Sequence, residues 1–251
     1  MNDIAIRLVV FACVFGGALF GMFLRAVLPE RHLSADTKDT VRLGMGLVGT
    51  MAALVLGFLI ASAKGFYDTQ NSELTQMSAK VVLLDRVLAH YGPESKEARD
   101  LLRNAVAQML DSLWPKDGLQ RSQTAPTGGG GEGLYDKIQE LTSKTDAQRS
   151  LQAQAASLAV QLGEARWLMY AQTGSFISLP VLALVVFWLA IIFISFGLFA
   201  PRNPTAIATL LFCALSVSGA IFLIEAMYRP FEGIMQIPST PVRNALAHLG
   251  Q

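Results

Sequence analysis

The chain has 251 residues, with 20 basic and 19 acidic side chains and a formal net charge of +1, a balance that points to no nucleic-acid partner and no acidic substrate. Hydrophobic residues make up 52% and mean hydropathy is +0.42. The charges are unevenly placed and leave four uncharged runs of about 17 to 27 residues, the pattern of membrane spans rather than of a water-soluble domain.

The first run is Leu8 to Leu24, between Arg7 and Arg25. A secretory signal is the rival reading, but no small-residue cleavage site follows cleanly and Arg25 stops the run. Gly17 and Gly21 form a GxxxG pair, which points to a helix contact here. A short polar loop, Pro29 to Arg42, leads to the second run, Leu43 to Ala63. Its 21 uncharged residues make roughly 31 Å of helix, about one bilayer core. Gly49, Ala53, Gly57, Ala61 and Gly65 recur every fourth position and mark a smooth stripe along this helix. Such a stripe lets another backbone approach closely, or lines a narrow lumen. Only Thr50 and Ser62 are polar in the run.

Past Lys64 the apolar positions Leu74, Met77, Val81, Leu84, Leu88 and Tyr91 step by three and four, so the same helix is expected to continue into a water-soluble bundle. Residues 64–173 are expected to form that bundle. Gly92-Pro93 ends the seam helix, and Glu94 and Glu97 sit in the first turn of the next. Ala98, Leu101, Leu102, Ala105, Met109 and Leu113 form its apolar face. A Gly-rich loop is expected over 116–133; no strand precedes it and no GK[ST] follows, so it is no phosphate loop. A short helix is expected at Leu134 to Leu141. Asp146 is expected to cap a longer one, with Leu151, Ala155, Leu158, Leu162, Ala165 and Leu168 on one face.

The third span is expected at Gly174 to Ala200 and the fourth at Thr205 to Ile224, with Pro201-Arg202-Asn203-Pro204 as the turn of an antiparallel hairpin. The tail carries an amphipathic piece at Pro241 to Leu249. Cys13 and Cys213 lie inside apolar runs, so no disulfide framework exists and both are expected to be small core residues. His32, His90 and His248 share no ligand spacing, and no GxSxG, HExxH or CxxC occurs. The chain is therefore not expected to be an enzyme or to carry a metal or cofactor.

The charged residues at span ends have two readings. Lys64 with Asp68, and Glu225 with Arg229, are each four apart and fit ion pairs that anchor span ends. Alternatively Lys64 and Arg229 ring an entrance and attract anions, as charged rings do in pores. Arg42 and Arg202 at the other face carry the same two readings. Four spans put both termini and the 64–173 region on one side, but Lys and Arg counts flanking the spans do not decide which side that is.

Four segments, GLVGTMAALVLGFLIASAKGFYDTQ around the second span, LLDRVLAHYGPE (83–94), FWLAIIFISFGLFAPRN (187–203) and RPFEGIMQIPSTPVRNALAHLGQ (229–251), carry a resemblance. The sequence resembles the bacterial bestrophin-like membrane proteins. Bestrophins are pentameric anion channels with four spans and a helical cytosolic region between spans two and three, and their second span lines the pore with bulky apolar side chains at a neck. By that resemblance Leu54 and Phe58 are the constriction candidates. The chain departs from the bestrophins in having no clear three-aromatic neck and no acidic calcium-binding cluster.

The expected fold is thus an all-α integral membrane protein with four transmembrane helices and a helical extramembrane bundle between helices 2 and 3. Its parts are 1–63 (helices 1 and 2), 64–173 (bundle), 174–228 (hairpin) and 229–251 (amphipathic tail). The resemblance implies a homo-oligomeric, anion-selective channel, pentameric and passing chloride or other anions, in a bacterial inner membrane with the bundle in the cytoplasm. The alternative is a non-conducting scaffold or accessory subunit that binds a protein partner through its helical domain along the Leu74–Tyr91 seam.

Overall fold

The structure, a computed structural model, describes residues 3–29, 34–115, 131–172 and 179–250. Most of the expected Gly-rich loop, and the first five residues of the expected third span, lie outside them. Among the described residues the regular structure is entirely helical: α1 (Asp3–Val27), α2 (Ala35–Tyr91), α3 (Lys96–Leu113), α4 (Gly131–Gln139), α5 (Asp146–Gln172), α6 (Leu179–Phe199), α7 (Pro204–Met227) and α8 (Thr240–His248). Four of these, α1, α2, α6 and α7, are long and apolar enough to cross a membrane.

α2 is one unbroken helix of 57 residues, about 86 Å long. Ser34 starts it, its hydroxyl accepting the Thr37 N–H at 3.3 Å. Gly92 stops it, in a left-handed conformation (φ 127°) that a side chain rarely adopts. Ser95 fastens this end by donating to the Leu88 carbonyl at 2.5 Å, or to that of Gly92 at 2.8 Å. The chain divides into two compact units, 1–66 with 176–228 and 67–175 with 229–251, and α2 belongs to both.

In the first unit α1 packs along α6 and also touches α7, while α6 and α7, neighbours in sequence, touch little. Val14, Ala18, Val185 and Ala214 are fully buried between these helices. Gly17 and Gly21 do make a helix contact, against α6. A Cβ on Gly17 would come 3.1 Å from the Ala190 carbonyl oxygen, and one on Gly21 would overlap the Ile194 carbonyl. Gly197 mirrors them against Ala18. Cys13 and Cys213, expected in the core, are exposed instead. The outer surface of a span is as apolar as its inner surface, so an apolar run does not say which side faces inward.

In the second unit the expected seam is the core: Leu74, Met77, Val81, Leu84, Leu88 and Tyr91 are all buried. α3 contributes Ala98, Leu102, Val106 and Leu113, and α5 contributes Ala155, Leu158, Ala159 and Met169. Leu168, expected on that face of α5, is half exposed. α5 is capped by Thr145, whose hydroxyl accepts the Gln148 N–H at 3.1 Å, and not by Asp146. Asp146 sits inside the first turn and pairs with Arg149 at 2.8 Å. The Gln152 amide donates to the Ile138 and Leu141 carbonyls at 2.8 and 2.9 Å and so closes the C-terminal end of α4. The tail returns to this core. Ile237, Val242, Ala245 and Leu249 are buried in it, Trp114 donates to the Ile237 carbonyl at 3.0 Å, and the Trp114 and Phe231 rings meet edge to face.

Candidate functional site

The membrane half of α2 has two unlike faces. Ala52, Leu59 and Ala63 are buried, and Val55 and Leu56 pack against the core of the first unit. At 3.6 residues per turn, Leu54 and Phe58 fall roughly opposite that face. They are 70% and 72% exposed. The small-residue stripe also avoids the unit's own core. Ala53, Gly57, Ala61 and Gly65 are exposed, and a Cβ built on Gly49, Gly57 or Gly65 meets nothing within 4 Å. Among the described glycines, the tight helix contacts belong to α1 and α6 instead. The uncharged face ends at Arg42 on one side and Lys64 on the other.

The charged candidates occupy different settings. Arg42 is exposed and lies 3.6 Å from Asp39, one turn back on α2. Arg202, in the turn between α6 and α7, donates to the Met22 carbonyl at 3.0 Å. Lys64 and Asp68 are exposed, Glu225 and Arg229 half-buried, and none of the four lacks a partner. Tyr228 sits at the end of α7, its hydroxyl 3.1 Å from that of Ser62 and its ring 5.5 Å from that of Phe66. Among the described residues no three metal-ligating side chains converge.

One constellation escaped the sequence reading. Asp85, on the seam face of α2, is buried at 1% exposure and holds Arg99 through two hydrogen bonds, Nε to Oδ1 at 2.7 Å and Nη2 to Oδ2 at 3.0 Å. The Gly250 N–H reaches Oδ2 at 3.3 Å, and Arg103 donates to the Leu249 carbonyl at 3.1 Å. Burial raises the Asp85 carboxyl, but hydrogen bonds from Arg99 and Gly250 and the positive charges of Arg99 and Arg86 outweigh it and hold it below the usual carboxylate range. The same contact raises Arg99 above its ordinary value. A signal was present: Asp85 is a charge set in an apolar seam between Leu84 and Leu88.

Four long apolar helices, with a helical bundle between the second and third, define an integral membrane protein. A Bestrophin-like domain model matches residues 12–242, and the chain belongs to the bestrophin-like family. Its fold is similar to the crystal structure of a bacterial bestrophin homologue from Klebsiella pneumoniae carrying a tyrosine-to-alanine mutation. The two share a TM-score of 0.67 at 14% identity, over 95% of this chain and 99% of that one, a likeness of fold. No curated protein matches the chain.

Proposed function

We propose that the chain is the subunit of a homo-oligomeric, anion-selective channel whose pore is lined by the membrane half of α2. The observation that carries this reading is the uncovered face of α2, where open glycines stand beside two bulky apolar side chains, Leu54 and Phe58. A face turned only to lipid has no need of glycines, which cost about 1 kcal/mol each against alanine in a helix. Copies arranged around an axis use both features: the stripe admits a neighbouring helix, and Leu54 and Phe58 point to the axis. Five copies, as in the bestrophins this chain resembles, form the ring. Leu54 and Phe58 then make an apolar constriction that gates by dewetting. Arg42 and Lys64, at the two ends of the same uncharged stretch, raise the local anion concentration at each mouth. The setting is the bacterial inner membrane, with the bundle on the cytoplasmic side.

A scaffold that grips a partner along the Leu74–Tyr91 seam is disfavoured, since that seam is filled by the unit's own helices and tail.

Single-channel recording of purified protein in planar bilayers under a salt gradient tests the proposal. Discrete currents should reverse near the chloride equilibrium potential, and Phe58→Ala should enlarge the conductance or make the closed state leak. A silent bilayer containing inserted, oligomeric protein would reject conduction and favour the non-conducting scaffold. Assembly has its own test. Gly57→Leu should shift the detergent-solubilised protein to smaller species by light scattering, and an unchanged mass would remove the stripe from the interface.

A further inference from the structure

The first unit holds a recess that the channel reading does not use. It has a volume of about 350 Å³ and lies between the C-terminal part of α1 and the turn joining α6 to α7. Met22, Phe23, Pro204 and Ile207 line it with apolar surface, and Arg202 and Asn203 supply its polar side. The volume falls in the range of small-molecule sites, about 300 to 1,000 Å³. Phe23 and Ile207 are exposed, so the apolar wall opens outward from the spans. The uncharged runs of α1, α6 and α7 all end here, at the depth where a bilayer's headgroups begin.

The cations beside the recess are held in place. Arg25 on α1 donates to the Ala200 carbonyl just past α6, and Arg202 donates to the Met22 carbonyl of α1. Each arginine thus serves a carbonyl near the C-terminal end of a neighbouring helix. A guanidinium has five N–H donors. The Met22 contact takes one from Arg202, and among the described residues no carboxylate pairs with it. The Asn203 side chain is already committed, accepting the Ala206 N–H at 2.8 Å.

We propose that this recess binds an anionic phospholipid, with the phosphate on the Arg202 guanidinium and the start of an acyl chain along Phe23 and Ile207. A guanidinium suits a phosphate by geometry as well as charge. The outward apolar wall selects a lipid over a free anion, because inorganic phosphate gains nothing from Phe23 or Ile207.

The test is native mass spectrometry of the full-length protein in detergent, titrated with phosphatidylglycerol or with phosphatidylcholine of the same acyl chains. The phosphatidylglycerol adduct should form about tenfold more tightly than the phosphatidylcholine adduct, because the choline cation offsets the phosphate charge that the arginines attract while the glycerol headgroup leaves it net negative. Arg202→Gln should abolish that preference and Arg202→Lys should keep part of it. Arg202→Gln also removes the Met22 contact, so Ile207→Trp provides an independent check. It fills the recess with Arg202 intact and should lose the adduct while thermal stability without lipid stays near wild type. Equal phosphatidylglycerol affinity in wild type, Arg202→Gln and Ile207→Trp would overturn the site. Inorganic phosphate that competes the lipid away at comparable concentration would overturn the lipid and leave a simple anion site.

Discussion

Gly197→Val should prevent the first unit from packing. A Cβ at Gly197 would overlap the Ala18 carbonyl and lie 3.0 Å from the Met22 nitrogen. Gly21 faces the same seam from α1, where a Cβ would overlap the Ile194 carbonyl and lie 2.8 Å from the Leu198 nitrogen. Overpacking a core with side chains that can move costs about 1 to 3 kcal/mol. Here the obstacle is backbone on both sides, so α1 and α6 must separate, and the cost of Gly197→Val or Gly21→Val exceeds that range. Gly16→Ala is the matched control. It sits on α1 one residue from Gly17 and meets nothing within 4 Å, so the better helix propensity of alanine should leave stability equal or slightly raised. Thermal unfolding in detergent, followed by size-exclusion chromatography, reads all three variants. A Gly197→Val protein that melts with wild type would remove the close α1–α6 approach as a determinant of the fold.

These glycines also show what was legible in the sequence. Counting uncharged residues locates spans, because the bilayer excludes charge over a fixed thickness, and all four spans were found this way. Membership in the bestrophin-like family was legible too, since its residues run along nearly the whole chain. The three-and-four spacing located the seam from Leu74 to Tyr91, because water on one side of a helix makes its two faces differ in composition. Inside the membrane that contrast is absent. The GxxxG pair at Gly17 and Gly21 therefore gave the contact but not its partner, and Gly197 carried no pattern of its own. The longer stripe from Gly49 to Gly65 looked like the stronger contact signal, yet among the described residues a Cβ on Gly49, Gly57 or Gly65 meets nothing within 4 Å. Small residues mark a capacity for close approach, and only the fold tells whether the partner is in the same chain. Asp85 was missed for the opposite reason. Its partners Arg99 and Gly250 are 14 and 165 positions away, and no local spacing connects an acid to a glycine N–H at the far end of the tail.

Asp85→Ala should cost the second unit about 3 kcal/mol, since it leaves the Arg99 guanidinium half-buried without its carboxylate. The loss should reach the tail as well, because the same carboxylate receives the Gly250 N–H while Arg103 holds the Leu249 carbonyl. Gly250 is in a left-handed conformation (φ 85°), and a Cβ there would come 3.3 Å from Arg103 Nη1, so the turn suits glycine. Hydrogen exchange at residues 240–250 should therefore accelerate in Asp85→Ala more than exchange in α4. The pH dependence follows from the direction of the shift. The carboxyl titrates below its ordinary value of 3.8 in the folded chain, so its contribution is fully present above that value. It is lost as pH falls through the folded value, where protonation removes the negative charge that pairs with Arg99. Wild type should lose stability steeply on acidification below about pH 4, and Asp85→Asn, which has no charge to lose, should show a shallower slope from a lower starting stability. Parallel acid unfolding curves for the two proteins would mean that Asp85 is not the group that ties the tail to α2.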